Sequence, residues 1–317
     1  MSLWSRREHR PRVVVHPSPD AVAEATAARL LVTLLDTLSV QDRADVVLTG
    51  GTVGIATLAA VSRSPLADAI DWTSVHVWWG DERFVPAGHP DRNEGQAQAA
   101  LLGALPLPEE NIHRMPAAAP ADAAAAFGGA AFGGAASGAT GSTPGASLEA
   151  AAESYDALLR EHGDPSFDVA MFGMGPDGHV ASLFPGHPVF EELASFSHGL
   201  ASDTAAAAAL AGADAGAAFG AGGIDPSVDW AAEAWAAAMV GPRAVAVTDS
   251  PKPPPERVSL TLTAINRAKR VWIVAAGAEK ADVAARALGG DAALPAAHVH
   301  GAQETLWLLD AKAAAKI

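Results

Sequence analysis

Cysteine is absent from all 317 residues of the chain. That absence excludes disulfide bonds, thiolate nucleophiles and cysteine-bound metal ions. Long hydrophobic runs are missing as well, since no stretch of about 20 strongly apolar residues occurs, and we predict no membrane span. Residues 1–12 are charged and contain no apolar signal core, so we predict no export. These absences favour a cytoplasmic protein.

Positive charge is also scarce. The 21 lysines and arginines stand against 36 aspartates and glutamates, which gives a formal net charge of −15. A field of that sign repels nucleic acid and anionic lipid, so we expect neither as a partner. We expect the chain to act as a monomer. A phosphorylated ligand would be repelled too, so a phosphate site requires a local concentration of arginine, lysine and backbone N–H groups.

Several catalytic motifs do not occur. The sequence has neither the Gly-Lys-Ser/Thr of a P-loop nor the glycine pattern of a dinucleotide site. It also lacks HExxH, paired cysteines and clustered histidines, so we predict no metal ion. A Gly-x-Ser-x-Gly elbow, which would present a serine nucleophile, is missing as well. The chemistry that remains is that of histidine, carboxylate and cationic side chains.

Short apolar runs alternate with helical patterns along the chain. Six runs are predicted strands: Arg12–His16, Asp45–Leu48, Val75–Trp79, Val169–Phe172, Ala244–Thr248 and Val271–Ala275. Predicted helices cover Asp20–Leu38 after Pro19, the segment from Thr52 to Val61, Asn93–Leu102 and a closing segment, Glu304–Lys316. This alternation predicts an α/β fold with a mainly parallel sheet that helices cover on both faces.

Two segments interrupt the alternation. Ala117–Ser147 is almost wholly small residues and proline, and Ala201–Gly223 is similar. Neither has enough large side chains to offset the entropy lost on ordering. We therefore predict one domain over residues 1–317, with low-complexity insertions at about 117–147 and 201–223.

A glycine turn follows the second predicted strand. Gly50 and Gly51 lead into a helix that begins near Thr52, where outward-facing N–H groups and the helix dipole suit a phosphate. The same residues also fit an ordinary strand–helix turn. Asp81-Glu82-Arg83 follows the third strand, where Arg83 suits a phosphate or carboxylate. Asp81 or Glu82 would orient Arg83 or a histidine.

Another turn follows the strand at Val169–Phe172. Residues 173–178 are rich in glycine and deliver His179 to the edge where ligands bind in α/β proteins. A histidine there is suited to proton transfer. The other reading is that His179 only caps the next helix, with Ser182 packing or capping there. This segment alone does not decide between a histidine that transfers protons and one that caps a helix.

Positively charged side chains follow the later predicted strands. Lys252 and Arg257 flank three prolines that hold their loop extended, and Lys280 comes after the sixth apolar run. Surface lysines and arginines usually serve solubility only. Here they are predicted at the same sheet edge as the glycine turn and His179, which favours a role in binding.

These motifs, in this order, resemble the 6-phosphogluconolactonase family. The matching pieces are LTGGT (48–52), WGDERFV (79–85), DRN (91–93), NIHRM (111–115), FGMGPDGHVASLFP (172–185) and PPERVSLT (254–261). The Gly-Pro-Asp-Gly-His element is typical of this family and of its sugar-phosphate isomerase relatives, and Gly-Asp-Glu-Arg favours the lactonase branch. Thr52-Val53 departs from the commoner Ser/Thr-Pro, and Arg92 and Glu94 alter the usual residues around Asn93.

The resemblance implies a Rossmann-like three-layer α/β/α fold. It also implies hydrolysis of 6-phospho-D-glucono-1,5-lactone, the substrate, in the oxidative pentose phosphate pathway, with no metal or organic cofactor. His179 is then the base that activates water, with Asp177 or Asp81 orienting it. Arg83 or N–H groups of the turn Gly175–Gly178 would stabilise the oxyanion.

The phosphate would sit against Gly50, Gly51 and Thr52. Arg257, Lys252 or Lys280 would support it, and Asp81, Asn93 and Gly178 complete the predicted binding residues. The opposite partition, with Arg83 on the phosphate, is equally compatible with the sequence.

Two other functions fit parts of the pattern. A glucosamine-6-phosphate deaminase would need a carboxylate base besides a ring-opening histidine, and Asp81 is available for that. A non-catalytic sugar-phosphate sensor usually carries a DNA-binding helix-turn-helix. Residues 1–12 are too short for one, and the net charge is wrong for DNA.

Overall fold

The computed structural model describes residues 11–120, 147–195 and 241–317. The two low-complexity segments lie almost wholly outside these ranges. A single domain with two insertions therefore stays a prediction.

Nine strands occur in the described ranges. In chain order they are β1 (Arg12–His16), β2 (Ala44–Leu48), β3 (Val75–Trp79), β4 (Asp81–Arg83), β5 (Val169–Gly173), β6 (Ala244–Val247), β7 (Arg257–Leu260), β8 (Arg270–Ala275) and β9 (Glu304–Asp310). Six of them form a wholly parallel sheet in the order β1-β9-β8-β5-β2-β3. This confirms the predicted α/β class and its mainly parallel sheet.

Helices connect and cover these strands. They are α1 (Pro19–Leu38), α2 (Gly51–Arg63), α3 (Asn93–Ala100), α4 (Leu148–Glu161), α5 (Leu262–Asn266) and α6 (Ala281–Leu288), with further helical residues at 188–195. Short 3-10 turns occupy Pro65–Ala69, Trp72–Ser74, Leu102–Ala104, Glu109–Asn111, Ala278–Lys280 and Pro295–Ala297. Among the described residues, every helix is too short or too polar to cross a membrane.

The prediction of a closing helix at Glu304–Lys316 is wrong. Residues 304–310 form β9, which pairs with β1 on one side and β8 on the other. A strand in the middle of a parallel sheet is buried on both faces, so its sequence is continuously apolar. Trp307 and Leu308 accordingly have almost no exposed surface. Asp310 ends the strand by accepting the N–H groups of Gly277 and Ala313.

A second, antiparallel sheet has the order β4-β7-β6. The run predicted as a strand at Ala244–Thr248 forms β6 of this second sheet, because a short apolar run does not specify its partner strand. Gly80 passes the chain from one sheet to the other, since its N–H donates to Leu48 and its carbonyl accepts from Leu260. A Cβ at Gly80 would lie 2.5 Å from the Phe172 ring, so only glycine fits.

Other predicted elements agree closely with the structure. The strands predicted at Arg12–His16 and Val75–Trp79 have those limits, whereas the helix predicted over Asn93–Leu102 ends at Ala100. The carboxyl ends of β2, β5 and β8 point the same way, and β5 lies between the other two. Ligands of open α/β sheets bind at such an edge.

Candidate active site

A cavity of about 410 Å³ opens beyond the carboxyl ends of β2, β5 and β8. The predicted site residues that line it are Gly50, Gly51, Thr52, Asp81, Arg83, Asn93, His179, Lys252, Arg257 and Lys280. Two other predicted residues, Asp177 and Gly178, do not line the cavity, although Asp177 contacts His179, which does. Thr49 and Glu279 also line the cavity and were not predicted. The sequence signal for Thr49 was its place directly before the glycine turn.

The glycine turn presents the start of α2 to the cavity. Gly51 has a φ of +79°, a conformation that favours glycine. Gly50 is the N-cap, and no side chain caps the first N–H groups of the helix. Those N–H groups and the helix dipole together suit an anion.

Arg83 lies beside this helix start. Its Nη1 donates a hydrogen bond to Oδ1 of Asn93. A Cβ placed on Gly50 would overlap that same oxygen, so Asn93 packs directly on the glycine turn. Nδ2 of Asn93 donates to the carbonyl of Asp81 at 2.8 Å, which fixes the amide. The charge of Arg83 and the N–H groups of α2 therefore make this end of the cavity electropositive.

Glu82 supports this end from behind rather than orienting His179. Its carboxylate accepts the N–H groups of Arg83 and Asn93, both at 2.8 Å, and that of Glu94 at 2.9 Å. Only 2% of Glu82 is exposed. Burial raises the pKa of Glu82 to about 7, although Arg92 and the backbone hydrogen bonds act in the opposite direction.

His179 and Asp177 form a close pair on the loop after β5. Nδ1 of His179 lies 2.5 Å from Oδ1 of Asp177. Nζ of Lys252 lies 3.3 Å from the same nitrogen and 3.7 Å from the Asp177 carboxylate. Burial opposes ionisation of Asp177, but the hydrogen bond with His179 and the charge of Lys252 outweigh it. They hold the pKa of Asp177 well below its usual range.

The glycines of this loop shape the pair. The N–H of Gly175 donates to the carbonyl of His179 at 3.0 Å, and that of Gly178 donates to Gly175 at 3.1 Å. A Cβ on Gly175 would overlap both the His179 ring and the Asp177 carboxylate. Gly178 has a φ of +86° and packs against Val283. The loop therefore needs glycine at both positions.

The reading of His179 as a helix cap is wrong, because the next helical residues begin at 188. Ser182 is likewise neither helical nor a cap. Its hydroxyl donates to Oδ2 of Asp81 at 2.6 Å, and its N–H donates to Ser259. Asp81 thus connects the His179 loop to the second sheet and contacts Ser182 rather than His179.

The three predicted cations of later strands differ in their surroundings. Arg257 is 5% exposed, and its guanidinium donates to the carbonyls of Pro254 and Lys252, both at 3.1 Å. It therefore holds the loop that carries Lys252. Lys280 makes no salt bridge within the described residues, and burial lowers its pKa. Lys252 contacts both His179 and Asp177, and Lys280 lies close enough for the charges of Lys252 and Asp177 to act on it.

Comparisons with known proteins identify relatives of this chain. The family model of "Glucosamine-6-phosphate isomerases/6-phosphogluconolactonase" matches residues 17–207 and 233–307. A 6-phosphogluconolactonase of Streptomyces coelicolor is 39% identical over 97% of this chain and 95% of its own length.

Solved structures give the same result for the fold. A 6-phosphogluconolactonase of Trypanosoma brucei is 22% identical, with a TM-score of 0.64 over 98% of this chain and 99% of its own. A monomeric glucosamine-6-phosphate deaminase is 15% identical, with a TM-score of 0.59 over 96% of this chain and 100% of its own. Both branches of the family therefore share this fold.

Proposed function

The chain belongs to the glucosamine-6-phosphate isomerase/6-phosphogluconolactonase family, and we infer that it hydrolyses 6-phospho-D-glucono-1,5-lactone to 6-phospho-D-gluconate. This is a step of the pentose phosphate pathway, and the substrate is a phosphosugar lactone. The observation that carries the mechanism is the contact of 2.5 Å between His179 and Asp177 at the wall of the cavity.

His179 is the general base of this reaction. An ionised Asp177 accepts the proton of Nδ1, which leaves the lone pair on Nε2. Nε2 has no hydrogen-bond partner among the described residues, so it is available to a water molecule. A base placed in this way contributes about 10²–10⁴-fold to the rate.

The reaction needs no covalent intermediate. Water attacks the C1 carbonyl while Nε2 of His179 takes one of its protons, and the carbonyl oxygen becomes an oxyanion. When the oxyanion collapses, the bond from C1 to the ring oxygen breaks. The imidazolium returns its proton to that oxygen, which becomes the C5 hydroxyl, and the new carboxylic acid ionises.

Lys252 is the group best placed to stabilise the oxyanion. The N–H groups of Gly175 and Gly178 already donate within their own loop, which argues against the loop as an oxyanion hole. The ammonium of Lys252 stands beside the pair of His179 and Asp177. A fixed positive charge at that end stabilises negative charge as it develops.

The phosphate binds at the other end, against Gly51, Thr52 and Arg83. The uncapped start of α2 supplies N–H groups. Asn93 packs on Gly50 and accepts a hydrogen bond from Arg83, so the Arg83 guanidinium lies beside this helix start. Arginine offers the planar pair of donors that phosphate prefers. Arg257 then acts by positioning Lys252 rather than by binding phosphate.

The deaminase reading has less support. It would assign the proton transfer between C1 and C2 to Asp81, but Asp81 is held by Ser182 at 2.6 Å and lies 3.7 Å from Arg257. An assay of lactone hydrolysis beside ammonia release from glucosamine 6-phosphate separates the two readings. We expect rapid lactone hydrolysis and no ammonia. Ammonia release at a comparable rate would refute the lactonase proposal.

We also propose that the enzyme is a cytoplasmic monomer and that it has no nucleic-acid partner. The net charge of −15 supports the last point. Light scattering of the purified protein is expected to give a mass near 32.1 kDa. A doubled mass would refute the monomer.

A further inference from the structure

Three histidines that are far apart in the sequence meet at the outer edge of the parallel sheet. His76 belongs to edge strand β3, His113 follows the 3-10 turn Glu109–Asn111, and His162 is the C-cap of α4. One ring nitrogen of each lies within 4.8 Å of the corresponding nitrogens of the other two. None of the three lines the cavity of the active site. This cluster is separate from the lactonase mechanism.

We propose that His76, His113 and His162 bind a divalent transition-metal ion, with Zn²⁺ as the principal candidate. Imidazole nitrogen suits zinc, copper and nickel, whereas calcium and magnesium require oxygen ligands. Three histidines with a fourth position open to water are a known zinc arrangement.

The nitrogen positions are close to those of a bound ion. Nδ1 of His76 and Nε2 of His113 are 2.9 Å apart. Bonds of about 2.0–2.1 Å to a tetrahedral zinc ion would place two nitrogens about 3.4 Å apart. The rings of His76 and His113 therefore need to separate by about half an ångström. The ring centroid of His162 is 4.4 Å from that of His113, at an interplanar angle of 64°.

Backbone hydrogen bonds hold the segments that carry two of these histidines. The N–H of His113 donates to the carbonyl of Val77 at 2.9 Å, which ties its segment to β3. The N–H of His162 donates to Leu158 at 3.2 Å, at the end of α4. Ligands held by strand and helix ends lose little entropy when they bind an ion.

Trp78 closes the inner side of the cluster. Its ring stacks on His113 at a centroid distance of 3.8 Å and meets His162 edge-on at 5.5 Å. The indole N–H donates to Asp45 at 2.7 Å, so the tryptophan is itself held in place. His113 is buried, whereas His76 and His162 are partly exposed. An ion can therefore enter from solvent, and water can occupy its outer side.

The charged side chains near the three histidines do not repel a metal ion. Arg43 is the cation close to His76 and His113, but its guanidinium is paired with Asp45 at 2.6 and 2.9 Å. The two charges largely cancel. A bound ion would connect β3, the segment after residue 111 and the end of α4, and would therefore stabilise the folded chain.

The test uses full-length protein without a histidine tag, stripped with EDTA and then freed of chelator. Zinc is titrated against a chromophoric chelator, and Co²⁺ is added separately to look for the visible bands of tetrahedral cobalt. We expect about one equivalent of zinc to bind, the cobalt bands to appear and zinc to raise the melting temperature.

The decisive variant is His162→Gln, because His162 is partly exposed and its loss leaves the core intact. It is expected to lose the stoichiometric zinc, the cobalt bands and the thermal shift, while lactone turnover stays normal. The matched control, His89→Gln, removes a partly exposed histidine elsewhere and should bind like wild type. Equal zinc binding by wild type and His162→Gln, or no binding by wild type, would overturn the proposal. If zinc instead inhibits the turnover of wild type and of His162→Gln equally, the ion is at His179, and that result would also overturn the proposal.

Discussion

Nδ1 of His179 lies 2.5 Å from Oδ1 of Asp177, two residues earlier on the same loop. Such a contact fixes both the ring orientation and the tautomer of the histidine. An ionised Asp177 also stabilises the positive charge that the ring carries after it has taken a proton from water. Replacement of this carboxylate therefore has a consequence for the rate.

Asp177→Asn is expected to lower kcat by about 10- to 100-fold, because the neutral amide neither fixes the tautomer nor stabilises the imidazolium. Steady-state turnover of wild type and Asp177→Asn, beside the melting temperatures of both proteins, measures this loss. An unchanged kcat in a folded Asp177→Asn protein would mean that Asp177 does not position the base.

Gly175→Ala is expected to reduce kcat strongly with little loss of stability. The added methyl group overlaps the His179 ring and the Asp177 carboxylate, which must move apart. The φ of Gly175 is outside the left-handed region, so alanine causes no backbone strain there. The control is Gly95→Ala, whose Cβ would meet no atom within 4 Å. Normal turnover of Gly175→Ala would show that the position of the pair is not critical.

Arg83→Met tests which end of the cavity holds the phosphate. Loss of a charged hydrogen bond of about 1.5–3 kcal/mol should raise KM for the phosphorylated lactone by about 10- to 100-fold. The KM for unphosphorylated glucono-1,5-lactone should hardly change. Arg63→Met, which removes an exposed arginine of α2, is the control. Equal losses on both lactones would assign Arg83 to the reacting centre instead.

The buried carboxylate of Glu82 should make the free energy of unfolding depend on pH. Burial raises its pKa to about 7 in the folded chain. The folded state therefore binds more protons than the unfolded state between the two pKa values, and stability falls as pH rises through this range. The loss over this range is about 3 kcal/mol. Urea unfolding at about pH 5 and about pH 8 measures it, and Glu82→Gln should remove this part of the slope. An equal slope in both proteins would exclude Glu82 as its source.

Local patterns were sufficient to predict most of the parallel sheet. β1 lies between Pro11 and Pro17, and β3 lies between Ser74 and Gly80, so their limits could be read from the sequence. β9 could not, because charged residues follow its apolar run and suggested a helix that closes the chain. What decides its conformation is pairing with β1 and β8, strands that are distant in the sequence.

The candidate site was predictable as a set of residues but not as a set of contacts. Glycine turns at the ends of predicted strands brought Gly51 and His179 to one edge, as expected. The sequence did not show that Arg257 is buried beneath Lys252, or that Glu82 accepts the N–H groups of α3. Both depend on the second sheet, whose short strands carry little signal.

The histidine cluster was missed for a related reason. Metal motifs are recognised by short spacings, and His76, His113 and His162 come from a strand, a turn and a helix end. No spacing rule connects them, so the sequence predicted no metal ion. Only the fold brings their rings together.

The central claim is that His179 activates water directly. The most direct measurement is turnover of His179→Asn, corrected for spontaneous lactone hydrolysis, beside its melting temperature and its affinity for 6-phosphogluconate. We predict that kcat falls at least about 100-fold while folding and product binding are retained. Near-normal turnover in a folded His179→Asn protein would contradict the mechanism.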